Sequence, residues 1–131
     1  MFRHPMQGLV VRSVAEEQDA VITSVRDVCE DPDTRASLDR FASGRAGRLC
    51  RMLVAQHGKR VAGLAGWQQD EMVGVVQVHL VLPAHRDRGV GTALLVRLIE
   101  QARDVGVRFL EAALPEVALR SQRIYRRQGF Q

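Results

Sequence analysis

The sequence predicts an α/β (α+β) fold, a central mixed and mostly antiparallel sheet flanked by helices, and three observations carry that expectation. Residues 73–82 are rich in β-branched side chains and end at Pro83, as a largely buried strand does. An amphipathic helical pattern follows at once, and residues 108–114 read as another strand. Strand, crossover helix and strand in one sheet form a parallel, right-handed unit. Residues 49–56 and 60–67 also alternate like strands and meet at His57-Gly58-Lys59, which makes an antiparallel hairpin.

The remaining elements follow in chain order. Leu9-Val10-Val11-Arg12 reads as a short strand. Ser13 and the acidic pair Glu16-Glu17 fit a helix start, and Val21, Ile22, Val25 and Val28 supply an apolar stripe until Pro32 interrupts it. A second short helix spans 33–42, with Ser43-Gly44-Arg45-Ala46-Gly47 as a loop before the hairpin. Gln69-Asp70-Glu71 turns the chain into the long strand. Leu94, Leu95, Leu98, Ile99, Ala102 and Val105 recur at helical spacing until Gly106, a residue suited to a helix C-terminus. Residues 117–127 read as the last helix, and no internal repeat or linker interrupts the pattern.

Composition narrows the function classes. At 131 residues the chain reads as one domain, residues 1–131, with 46% hydrophobic and 26% charged residues, an ordinary globular balance. No apolar run approaches the roughly 20 residues that span a bilayer, and the first residues do not resemble a signal peptide, so the expectation is a cytoplasmic protein with no membrane partner. Cys29 and Cys50 are far apart and fit no metal-ligand spacing; no metal is expected. The net charge of +4 is almost entirely arginine, Lys59 being the only lysine among 19 basic residues. Those arginines are scattered and aromatics make up only 5%, which argues against a nucleic-acid partner.

The segment that carries chemistry is His85-Arg86-Asp87-Arg88-Gly89-Val90-Gly91-Thr92, placed where strand turns into helix. The first N–H groups of a helix lack intrahelical partners, and the helix dipole concentrates positive charge at the same end. Glycines let a diphosphate approach the backbone, and Arg86 and Arg88 add formal charge, so the turn is built like an anion cradle. The plainer reading of the same residues is a tight turn with solvated arginines. The segment has neither the Gly-Lys-Ser/Thr of a P-loop nor the spacing Gly-x-Gly-x-x-Gly.

Val81-x-Pro83-x-x-Arg86-x-x-Gly89-x-Gly91 resembles the acetyl-CoA motif of the GCN5-related N-acetyltransferases, the GNAT family. Near the chain end, Leu114-Pro115-Glu116 and then Ser121-x-x-x-Tyr125-x-x-x-Gly129-Phe130 are similar to the family's second motif. The resemblance covers roughly residues 9–131. It implies acetyl-CoA as co-substrate, a small-molecule or peptide amine as acceptor, and direct attack of the amine on the thioester. It also implies a parallel strand pair that splays apart at the acetyl-CoA site. Main-chain amides of Arg88, Gly89, Val90 and Gly91, with Arg86 and Thr92 alongside, would hold the pyrophosphate; Leu80, Val81 and Leu82 would hold pantetheine and polarise the thioester carbonyl. Tyr125 would protonate the departing thiolate as general acid; its other reading is a helix tyrosine that only packs.

Three departures from the family pattern accompany the match. Ala118 stands where many members carry an asparagine that contacts the cofactor. Members often place a Glu or His on the strand before the cradle, at an even offset from the motif valine; here those positions are Val75, Gln77 and His79, of which only His79 can act as a base near neutral pH. Glu111, on the neighbouring strand, is the second candidate. Members also continue past Gly-Phe into two more strands, whereas this sequence stops at Gln131; the open sheet edge this implies would fit a homodimer sharing strands, a partner protein or a truncated sequence, and of these self-association is the expectation. The alternative function is a CoA- or acyl-CoA-binding regulatory module with little catalysis. For the acceptor pocket, Arg26, Asp27, Glu30, Asp31 and Asp39 either line a cleft or face water.

Overall fold

The structure, a computed structural model, describes residues 8–14, 18–43 and 49–112. Its elements in chain order are β1 (Leu9–Val14), α1 (Gln18–Val28), α2 (Pro32–Ser43), β2 (Leu49–His57), β3 (Arg60–Asp70), β4 (Val73–Val81), a single 3-10 turn (Pro83–His85), α3 (Val90–Asp104) and β5 (Phe109–Ala112). The five strands lie side by side in sequence order. The first three pairings are antiparallel and the last, β4 with β5, is parallel. The parallel pair is the one joined through a helix, because a hairpin turn cannot return a chain in the same direction. The expected last helix over 117–127, with Tyr125 and Gly129-Phe130, lies outside the described residues.

Helices cover both faces of the sheet. On one face α3 buries Leu94, Leu95, Leu98, Ile99 and Ala102 against Leu53, Ala65, Trp67 and Val76. On the other, α1 and α2 bury Val21, Ile22, Val25, Leu38 and Phe41 against Met52, Val54, Leu64, Val78 and Leu80. Side chains at three- and four-residue spacing make one face of each helix apolar, and burial of those faces holds the layers together. Trp67 is fully buried; its Nε1–H donates to Gln101 Oε1 at 2.9 Å and the Arg51 guanidinium lies 5.8 Å from its ring centre.

Several boundaries differ from the sequence expectation for identifiable reasons. Ser13 belongs to β1, where it pairs with Leu53, and α1 begins at Gln18. Val28 is 56% exposed although it continues the apolar stripe, because α1 ends there and the stripe has nothing left to pack on. Pro32, expected only as a break, is the first residue of α2, a position where its missing N–H costs nothing. Asp31 caps that helix by accepting the Thr34 N–H at 3.1 Å. Gln69 and Asp70 remain in β3, and the turn tightens to Glu71-Met72, with Glu71 at φ 53. The far end of α3 closes as a Schellman motif: Val107 N–H donates to Ala102 O at 2.9 Å and Gly106 N–H to Arg103 O at 3.0 Å.

Candidate active site

The site begins with an irregularity in β4. Gly66 stands opposite Val78 and Trp67 opposite Val76, so Gln77 is an extra residue with no partner across the β3 ladder. Such a bulge bends its strand and sharpens the local twist. Among the described residues, parallel pairing with β5 covers Val73–Val76. Beyond it, from Gln77 to Val81, the β4 edge that faced β5 has no strand against it among the described residues. Among the described residues this is a fork in the sheet.

The antiparallel ladder decides which groups face the fork. Leu82 N–H donates to Ala62 O at 2.9 Å, and the register continues through Val81 with Gly63, Leu80 with Leu64 and His79 with Ala65. Opposite residues in such a ladder alternate between bonded and non-bonded pairs. Leu82 and Leu80 therefore turn their main-chain groups to β3, while Val81 and His79 turn theirs to the open edge. Sequence reasoning, which grouped Leu80, Val81 and Leu82, could not separate these roles because they depend on the register with β3.

At the C-terminal end of β4 the chain enters the Gly-rich turn. Ala93 N–H donates to Gly89 O at 2.9 Å as the first bond of α3, so the N–H groups of Val90, Gly91 and Thr92 precede the helical ladder. Gly89 caps α3 with φ 80 and ψ 8, a left-handed conformation that an L side chain resists. A Cβ on Gly91 would stand 3.3 Å from Val81 Cγ2 and 3.6 Å from His79 Nε2, which shows how closely the helix start approaches β4. Arg86, Arg88 and Thr92 are exposed around this turn, whereas Val90 is a buried core residue that anchors it. Amides ahead of the helical ladder, a glycine backbone and two exposed guanidiniums make a site suited to a diphosphate.

His79 holds the two parts together. Its Nε2 lies 2.8 Å from Gly91 O, and because a carbonyl only accepts, the imidazole donates from that nitrogen. In the neutral ring, Nδ1 then carries the free lone pair. Burial pushes the His79 pKa below the ordinary imidazole value, opposed in part by the Gly91 carbonyl. Folding thus favours the neutral ring, and its contribution to stability is present above the unfolded-state pKa of about 6.5 and is lost as pH falls below it. We expect thermal melts between pH 8 and pH 5 to reveal this: the parent loses stability toward pH 5 more steeply than His79→Gln, which keeps a donor but does not titrate. Parallel melting curves for the two proteins would contradict the assignment.

A cleft of about 600 Å³ opens beside the fork. One wall is the strand end His79–Pro83 with Arg86, and the other is the α1–α2 turn, with Cys29, Glu30, Asp31 and Thr34. The Asp31 carboxyl is held below the usual carboxylate range, chiefly by the Thr34 hydroxyl and N–H, with Arg86 adding attraction. Of the five charged residues that sequence left undecided, Glu30 and Asp31 line the cleft. Arg26 and Asp39 instead pair with each other at 2.9 Å on the surface. Cys29 and Thr34 had no signal in the sequence, since their place opposite β4 comes from the packing of α1 and α2.

Glu111 sits on β5 opposite Val75, on the paired side of the fork, and is exposed. Its neighbour Leu110 points into the α3-side core, so period-two alternation puts Glu111 on the face that carries α1 and α2. His79 and the cradle are brought together directly; Glu111 borders the fork from its far strand.

Comparison with known proteins agrees with this geometry. The model of the acetyltransferase (GNAT) family matches residues 15–130. A search of curated proteins found no match. Among solved structures, a GNAT-family protein from Desulfovibrio desulfuricans is 25% identical with a TM-score of 0.65, over 94% of this chain and 85% of that one. The ribosomal-protein-S18-alanine N-acetyltransferase of Escherichia coli is 20% identical with a TM-score of 0.72, over 94% and 77%. A predicted acetyltransferase of Clostridium acetobutylicum, solved with acetyl-CoA, is 16% identical with a TM-score of 0.66, over 94% and 90%. The forked mixed sheet, the cradle at its mouth and the match over nearly the whole sequence have one explanation: this chain belongs to the GNAT acetyltransferase family.

Proposed function

We propose that the protein is an acetyl-CoA-dependent N-acetyltransferase acting on an amine of a small molecule or peptide. The observation that carries this reading is the fork, a β4 edge that is unpaired among the described residues and runs straight into a glycine-lined helix N-terminus. When bound there, acetyl-CoA supplies an activated acetyl thioester. The amides of Gly89, Val90 and Gly91 and the side chains of Arg86, Arg88 and Thr92 hold its diphosphate. The outward-facing main-chain groups of Val81 and His79 hold the pantetheine arm, with Leu80 and Leu82 shaping the wall, and an N–H of that edge polarises the thioester carbonyl.

The acceptor must lose a proton because an alkylammonium has no lone pair with which to attack. Two groups can take it. The Gly91 bond occupies His79 Nε2, so His79 would act through Nδ1; Glu111 approaches from β5. Tyr125 protonates the leaving sulfur. Among the described residues the outer edges of β1 and β5 carry no partner strand, and pairing of a second copy along one of them belongs to the same reading.

Thiol release from acetyl-CoA, measured across a panel of amines, tests the proposal. Structural neighbours include an aminoglycoside N-acetyltransferase and the ribosomal-protein-alanine enzyme, so the panel includes an aminoglycoside and an N-terminal alanine peptide beside polyamines and amino acids. We expect acceptor-stimulated release that falls about a hundredfold or more in Tyr125→Phe, the scale of a lost general acid. CoA binding without stimulated release by any amine would favour a CoA-binding module instead, the reading that Ala118 supports.

A further inference from the structure

The cleft beside the strand end is electrically lopsided. Arg86 stands on the wall that leads into the diphosphate cradle, and Glu30 and Asp31 stand on the facing wall, at the turn between α1 and α2. From Asp27 to Asp33 that turn holds four carboxylates (Asp27, Glu30, Asp31, Asp33) and no cation, in a chain whose net charge is +4. Arg26, which precedes it, is already paired with Asp39. Two of the four have a structural reason to be there: Asp31 caps α2 through the Thr34 N–H, and Asp33 lies in its first turn, where the helix dipole favours negative charge.

Glu30 has no such reason. It follows the C-terminus of α1, where the dipole disfavours a carboxylate, and it makes no hydrogen bond or ion pair among the described residues. Its exposed side chain lines the same cleft as His79, whose Nδ1 likewise has no partner among the described residues. A carboxylate set against the dipole and without a counter-ion is stabilised when a cation binds beside it. Asp31 adjoins it, held in place by the Thr34 hydroxyl and N–H. The negative end of the cleft therefore presents two carboxylates to whatever enters beside the thioester.

We infer that the acceptor is an amine bearing a second ammonium group, held by Glu30 and Asp31 while its other nitrogen attacks the thioester; this rests on the acetyltransferase reading above. The division of the cleft follows the charges of the two substrates: the diphosphate goes to Arg86 and the helix start, the second ammonium to the α1–α2 turn. That ammonium stays protonated throughout the transfer and takes no part in bond making, so its attraction acts on ground state and transition state alike and falls mainly on KM. The turn also excludes. A free amino acid carries a carboxylate beside its amine, and bringing that group to Glu30 and Asp31 sets like charges together. An alkyl monoamine escapes the repulsion but gains no attraction.

Diaminopentane and pentylamine differ only in the second ammonium. At saturating acetyl-CoA and low salt we expect the parent's kcat/KM for the diamine to exceed that for the monoamine by about tenfold or more, the scale of two partly exposed charge pairs and well beyond the roughly twofold gain from having two amines. Raised salt should shrink the ratio. In the double variant Glu30→Gln, Asp31→Asn, where asparagine keeps the helix cap, the ratio should fall to about two through a higher KM for the diamine. Spermidine and an aminoglycoside, both carrying the second ammonium, then tell a flexible chain from an amino sugar as its source. A parent ratio near the statistical value, or one that the double variant or added salt leaves unchanged, overturns the inference while leaving the acetyltransferase reading in place. A parent protein that binds no acetyl-CoA, or acetylates no amine, overturns both.

Discussion

Gly89→Glu is expected to weaken acetyl-CoA binding by roughly a hundredfold or more while the protein still folds. Gly89 is exposed, so no packing is lost, and its left-handed backbone penalises a side chain by only about 1–2 kcal/mol. The functional effect is larger. A carboxylate added at the cap would compete for the free amides and face the incoming diphosphate; two like charges 4 Å apart repel by about 4 kcal/mol at an effective dielectric near 20, less some screening by salt. A loss of about 3 kcal/mol is two decades in Kd. Gly89→Asn separates the two effects, because asparagine tolerates the left-handed region and is uncharged; it should lose less than about tenfold. Calorimetric titration of the three proteins with acetyl-CoA checks the order, and equal affinities would contradict the cradle.

The largest effect on stability is expected from Trp67→Ala. Trp67 is the largest fully buried side chain and sits opposite Val76, next to the bulge. Truncating a buried aromatic costs about 3–5 kcal/mol through lost burial and the cavity left behind. That approaches the whole stability of a marginal domain, about 5–15 kcal/mol. The change would also remove the donor that Gln101 Oε1 accepts and the ring beneath Arg51. Urea unfolding should therefore show a midpoint far below the parent's, and the melting temperature should drop by more than about 10 °C. Trp67→Phe, which keeps most of the volume, should lose much less. A near-parental melting curve for Trp67→Ala would mean that this core is not what fixes β3 against β4.

Much of this architecture is legible in the residues themselves. The β-branched run of β4, the hairpin at Gly58 and the helix from Val90 to its cap at Gly106 are set by local preference and period, so they stand within a residue or two of where sequence places them. The glycine-rich turn at the start of α3 was legible for the same reason, since its shape depends only on neighbouring residues. The fork was not. Gln77 is an ordinary strand residue to any local reading, and only the register of β3 against both Val76 and Val78 makes it a bulge. Cys29, Glu30 and Thr34 likewise reach the cleft through the packing of α1 and α2, which no periodicity encodes. Val28 is the converse: its spacing says core, and the end of its helix leaves it in solvent.

His79 shows how one contact can alter a chemical reading. By residue type it is the obvious base on β4; by position it ties Gly91 of the helix start to the strand edge. The same hydrogen bond that would orient it for proton transfer also fixes the approach of cradle and fork.

If the β4 edge and the start of α3 together form the acetyl-CoA site, the amide signals of isotopically labelled protein in solution will report it as acetyl-CoA is added. Saturable shifts are expected at Gly89, Val90, Gly91 and Thr92 and at His79 and Val81, with Leu80 and Leu82 less affected because their main-chain groups face β3. Saturation with shifts elsewhere and none at these positions, or no saturation at all, would contradict it.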